Sequence, residues 1–156
     1  MTAACIWCRS ACAPPIRYPM QNPKKLDVMR YAHELALQCY RTTSHFPRAE
    51  LVGLTNQMRR AAISIGSNIA EGCGRGTDRE FRAALQHAFA SASELEFQVS
   101  VSRELRFAPT EEMDALEQQV VRIKRMLSYL IAAVRRRIAS ETTAKKLPET
   151  RRPSPP

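Results

Sequence analysis

Seven residues, Met113, Leu116, Val120, Ile123, Leu127, Leu130 and Val134, follow one another at alternating steps of three and four. That alternation places all seven on one stripe of an α-helix. It is the heptad seam through which helices pack side by side. An apolar stripe of this length must be covered by other helices to leave water. The rest of the chain is therefore read for stripes that could cover it.

Three more are present. Val28, Ala32, Leu35 and Cys39 recur at steps of four, three and four, on a helix expected from about Lys24 to Ser44. Phe46 and Pro47 interrupt it. Leu54, Met58, Ala61, Ala62, Ile65 and Ile69 form a second stripe, with Cys73 at its edge and Thr55 as the expected N-cap. Phe81, Leu85, Ala88, Ala92, Leu95 and Val99 form a third, on a helix expected from Asp78 to Arg106. Pro109 breaks it. Thr110, Glu111 and Glu112 start the fourth helix, with acids in its first turn. No strand pattern competes. Four amphipathic helices with short connections predict an all-α fold, an up-down-up-down antiparallel four-helix bundle, over residues 20–138.

The chain has 156 residues, enough for one domain with a real core and no disulfide staples. Its five cysteines do not make a disulfide framework. Cys39 and Cys73 fall within helical patterns as small apolar residues. With an odd count and no convincing export signal, a reducing cytoplasm is the expected location. Residues 1–19 stand apart, with Cys5, Cys8, Cys12, the single Trp and three prolines. They are read as a doubtful or disordered extension, with Met20 the expected natural start. Residues 139–156 are read as a disordered, basic, Pro-rich tail. No uncharged run of about 18 residues exists, so no membrane-spanning helix is expected.

The segment AAISIGSNIAEGCGRGTDRE, residues 61–80, carries Gly66, Gly72, Gly74 and Gly76 and resembles a phosphate loop at first sight. A P-loop needs a preceding strand and a Lys after the glycines. Here a helix precedes, and no Lys follows. The better reading is a helix junction. Gly72, Gly74 and Gly76 release the chain through left-handed conformations. Thr77 and Glu80 form a capping box for the third helix. Gly66 sits mid-helix, where close packing is the expected reason for it.

The stretch LTNQMRRAAISIGSNIAEGCGRGTDREFRAALQHAFASASELEFQ resembles the four-helix bundle proteins called 23S ribosomal RNA intervening-sequence proteins. Their hallmark reads approximately L-T-x-Q-x-R-R-A-x-x-S-I-P-S-N-I-A-E-G-x-G-R, followed by a Phe and an E-L-E. Gln57, Arg59, Arg60, Ser64, Ser67, Asn68, Glu71, Gly72, Arg75, Phe81, Glu94 and Glu96 stand at matching positions. Gly66 replaces the usual Pro, and Met29 stands where many members have Trp. The resemblance covers about residues 26–137. It implies a small bacterial cytoplasmic bundle that often assembles as a homopentamer. It also implies a candidate partner, because a related branch assists the reverse transcriptase of diversity-generating retroelements. The family name records gene location, since some members are encoded within intervening sequences of ribosomal RNA genes.

The chemistry-bearing residues point away from catalysis. His33, His45 and His87 are scattered, and no E-x-x-H pair of the di-iron bundles occurs. No nucleophile elbow is present. No catalytic residue, cofactor or metal site is therefore expected, and the protein is read as a non-enzyme.

The formal net charge of +9 and pI near 9.8 fit an anionic partner, RNA or DNA first. Candidate phosphate contacts are Arg135, Arg136, Arg137, Lys124, Arg125, Arg59 and Arg60, with Lys145, Lys146, Arg151 and Arg152 behind them. The Arg135–Arg137 run would equally complement a helix dipole. No aromatic interleaves with that run, so base stacking is expected to add little. Gln57, Arg60, Ser64, Ser67, Glu71 and Arg75 form a polar stripe read as lying opposite the apolar one. It is either a solvated face or an interface or ligand surface.

Extra apolar residues off the main stripes are Ile63, Phe89, Phe97, Val121, Met126 and Ile131. With the resemblance, they suggest a homo-oligomer, specifically a pentamer. The alternative function is a structural protein–protein adaptor with no nucleic-acid binding. Truncating one seam residue, Leu127→Ala, is expected to lower unfolding stability by about 2–5 kcal/mol, measured by denaturant titration.

Overall fold

The computed structural model describes residues 26–146, with side chains described through Thr143. The assignments made above to residues 1–25 and 147–156 lie outside that range. Helix α1 spans Asp27–Thr42, α2 Leu54–Gly74, α3 Asp78–Glu104 and α4 Thr110–Lys146. Two single turns of 3-10 helix, Thr43–His45 and Arg48–Glu50, connect α1 to α2. No strand occurs among the described residues.

Contacts between the helices fix their order and direction. On α1 and α2, Thr43 accepts a hydrogen bond from Arg59 while Gly66 approaches Ala32. On α2 and α3, Met58 meets Ser102, Ser64 meets Ser91 and Gly72 meets Ala84. On α3 and α4, Arg103 pairs with Glu117, Glu96 with Lys124 and Asp78 with Arg137. On α4 and α1, Arg122 meets Tyr31 and Glu112 meets His45. In every pair one number rises as the other falls. The four helices form an antiparallel ring in chain order.

The core is the four stripes turned inward. Met113, Leu116, Val120, Ile123 and Leu127 are fully buried, as are Leu35, Met58, Ile65, Ile69, Leu85, Leu95 and Val99. Leu130 is only partly buried, whereas Val134 beyond it is buried. Cys39 and Cys73 are free thiols within this core. Burial pushes the Cys39 thiol up to about 12 and raises that of Cys73, so both pack as neutral side chains.

Several junctions differ from expectation. Thr55 is not the N-cap of α2. It lies inside the helix and is buried, and the Glu50 carboxylate caps the end by accepting the Leu54 N–H at 3.2 Å. The glycines after Ile69 do not use left-handed backbone. No described glycine has positive φ, and α2 runs through Gly72 and Gly74. Gly72 is present for space, since a Cβ there would lie 2.8 Å from Ala84 Cβ and 3.0 Å from Phe81 Cδ2. Gly66 shows no such need, because its nearest neighbour would be Ala32 Cβ at 4.0 Å.

Thr77 caps α3 as expected. Its hydroxyl accepts the Glu80 N–H at 3.2 Å and donates to the Glu80 carboxylate at 2.7 Å. The far end of α3 closes in a Schellman turn. Phe107 N–H donates to Ser102 C=O and Arg106 N–H to Arg103 C=O, with Arg106 at φ 55° in the place usually given to Gly. Phe107 then meets Phe46 edge-on, 5.4 Å between ring centres, locking the two connections at that end together.

Helix α4 continues through residues 139–146, part of the segment assigned above to a disordered tail. That segment is ASETTAKK, with neither Gly nor Pro. Thr142 and Thr143 donate hydroxyl hydrogen bonds to the carbonyls of Ile138 and Ala139.

The two mid-sequence glycines should respond in opposite directions. Gly66→Ala should raise stability by roughly 0.5–1 kcal/mol, since it removes backbone freedom and meets no clash. Gly72→Ala should lower stability by about 1–3 kcal/mol, because Ala84 and Phe81 must move. Thermal unfolding of both variants beside the parent reads both signs.

Candidate functional site

Three surface features remain once the core is set. The first is the polar stripe of α2. Five of its six residues are exposed, and Ser64 is half-buried at the contact with α3. Ser64 and Ser91 share a hydrogen bond of 3.0 Å across that contact. The Asn68 amide donates to the Ser64 carbonyl at 2.8 Å and to its hydroxyl at 3.0 Å. Beyond them, Asn68, Glu71 and Arg75 face Glu80, Ala83, Ala84 and His87 across a shallow groove. Arg75 forms an ion pair with Glu71 and lies 4.0 Å from Glu80. The hydrogen bond to Glu71 holds the Arg75 pKa above its ordinary value. One cation between two carboxylates leaves no net attraction for an anion. Gln57 and Ser67 are exposed.

Residues 24–129 match the model of a family described as 23S rRNA-intervening sequence protein. The chain belongs to this family. A similar solved structure is the crystal structure of a protein of unknown function from the S23 ribosomal protein family of Bacteroides thetaiotaomicron. It is 20% identical, with a TM-score of 0.63, over 67% of this chain and 97% of that one. At that identity it supports the four-helix fold alone. No curated protein matches the chain.

Part of the family hallmark serves packing. Gly72 gives room to Ala84 and Phe81, and Phe81 and Leu95 are buried. Glu96 pairs with Lys124 at 2.5 Å, and Glu94 accepts from the Gln98 amide at 3.1 Å.

The second feature is the set of basic residues, which the structure divides. Arg137 pairs with Asp78, a carboxylate only 9% exposed in the first turn of α3. Lys124 is held by Glu96 and lies over the Phe89 ring at 5.4 Å. Arg59 donates to the Thr43 hydroxyl at 2.8 Å and lies over Tyr40 at 4.8 Å. These three tie elements together. Arg60, Arg125, Arg135 and Arg136 are exposed, with no carboxylate partner among the described residues. The run Arg135–Arg137 is therefore not one patch. Successive residues on a helix point about 100° apart.

The third feature is apolar. Leu37, Tyr40 and Ile63 are exposed on α1 and α2, and Phe97 and Leu105 on α3. Of the six off-stripe residues named above, Phe89, Met126 and Ile131 instead pack partly against the core.

Among the described residues no cluster of three metal-ligating side chains occurs, and no helix is long and apolar enough to cross a membrane.

The arginine division makes a sharp expectation. Arg137→Ala leaves the Asp78 carboxylate without its cation and should cost about 1–3 kcal/mol, seen as a lower unfolding midpoint. Arg135→Ala and Arg136→Ala should stay within about 0.5 kcal/mol of the parent.

Proposed function

We propose that this protein is a non-enzymatic, homo-oligomeric bundle of the cytoplasm that binds nucleic acid, or an enzyme that processes it, through a basic surface. The observation that carries this reading is the outer part of α4. Arg125, Arg135 and Arg136 stand exposed without carboxylates, in a chain of net charge +9. Of the acids of α4 before them, Asp114 and Glu117 are both held by Arg103. Uncompensated guanidinium groups attract phosphates and release their counterions.

The apolar residues support self-association. They lie on different faces, Leu37, Tyr40 and Ile63 against Phe97 and Leu105. Two unlike patches suit a head-to-tail contact, which forms a ring when its rotation closes. A pentamer is the specific proposal, taken from the family resemblance. The same patches also support the second reading, a protein–protein adaptor without nucleic-acid binding.

Fluorescence anisotropy with labelled oligonucleotides at several salt concentrations separates the two. Binding should weaken steeply with salt, with a log–log slope of about −0.7 to −0.9 per phosphate contacted. The double variant Arg135→Ala/Arg136→Ala, with Arg137 left in place, should flatten that slope and keep its stability. No binding at low salt favours the adaptor. Light scattering should give five subunits, and the mass of one subunit across micromolar concentrations overturns the oligomer.

A further inference from the structure

Gln118, Arg122, Arg125, Tyr129, Ala132 and Arg136 follow one another at steps of four, three, four, three and four. All six are exposed. They form a second heptad series on α4, on the side away from the buried seam. The geometry points to this face as a site for a single nucleic-acid strand, with one base stacked on Tyr129.

The proposal rests on the nucleic-acid reading above and adds the form of the ligand and its register. Tyr129 is 78% exposed, an unusual position for an aromatic ring on a packed helix. It shares a shallow groove with Arg122, Arg125 and Gln118, floored by the half-buried Val121 and Met126. Glu117 borders the same groove, but its carboxylate is committed to Arg103 of α3. After Glu117 the next acid in the chain is Glu141, so the intervening stretch carries cations without a carboxylate.

Arg122 is positioned rather than neutralised. Its guanidinium lies over the Tyr31 ring at 3.8 Å and donates to the Tyr31 hydroxyl. Arg30, on the same ring at 4.3 Å, is paired with Glu34 at 3.0 Å. Guanidinium groups on both sides of a bare ring suit phosphates flanking a stacked base. In a duplex the base faces are already covered by neighbours, so the ring would have nothing to stack on. Arg122 to Arg136 spans about 21 Å of helix at 1.5 Å per residue.

Along the chain no aromatic adjoins the Arg run, which is why little stacking is expected from the sequence. On the helix surface Tyr129 lies between Arg125 and Arg136, which sequence adjacency hides.

The test uses the full chain and labelled strands of about a dozen nucleotides, single or paired, by anisotropy across salt. Tyr129→Ala should weaken single-strand binding about tenfold, leave the salt slope unchanged and leave duplex binding as it was. Tyr129→Phe should bind as the parent does. Tyr129→Trp should gain emission that the single strand quenches. If the parent binds but Tyr129→Ala binds single strands equally well and the added emission of the Tyr129→Trp variant is unaffected, stacking is overturned while the electrostatic reading stands. If the parent binds neither form at low salt, both fail. A Tyr129→Ala variant whose oligomer dissociates identifies the face as a contact between copies, and this also overturns the proposal.

Discussion

The α4 seam must be dry, and much of the surface follows from that. Met113, Leu116, Val120, Ile123 and Leu127 can be covered only if α1 and α3 flank α4 and α2 closes the ring. Burial of each large side chain contributes roughly 1.5–3 kcal/mol. A slip that turned this stripe outward would forfeit several such terms at once. The rotation of α4 is therefore fixed. A helix whose inner face is fixed has its outer face fixed too. Gln118, Arg122, Arg125, Tyr129 and Arg136 are exposed because they lie on the side of α4 away from that buried seam.

Much of the bundle was legible in the sequence because helical periodicity is a local signal. Every residue of the first and third stripes is buried, as is the second beyond its partly buried first residue, Leu54. What was not legible depended on partners distant in sequence. Nothing near Arg137 reveals that Asp78, 59 residues away, takes its charge. Thr55 looked like a cap because Thr commonly serves as one, yet Glu50 reaches that end first and Thr55 turns into the core. The glycines were misassigned for the same reason. Local rules explain Gly by backbone freedom, whereas Gly72 answers to Ala84 and Phe81 on another helix. The outer stripe of α4 was written plainly in the spacing, but it was obscured by attention to runs of like residues.

The family hallmark and the basic surface lie on different parts of the molecule. The hallmark concentrates on α2 and the adjoining part of α3, where it spaces two helices and satisfies the polar groups at their border. Within it Arg75 is balanced by Glu71 and by the nearby Glu80. A signature of that kind specifies a scaffold. Arg125, Arg135 and Arg136 stand without carboxylates on α4, where the hallmark has no residues. Members sharing the scaffold could thus differ in what they attract, through substitutions that cost the bundle little.

Helix α4 also outlasts its neighbours. Past the Arg137–Asp78 pair it runs to Lys146, about 14 Å of helix, and residues 139, 140, 142 and 143 are exposed. An isolated helix shorter than about 12 residues is marginal in water. Arg137 therefore acts as a fulcrum between two regimes of order. On one side, amide protons reach solvent only when the bundle opens. On the other, they exchange by fraying of a few turns, at no cost to the core. A protease cleaving that outer arm would leave the four-helix body intact.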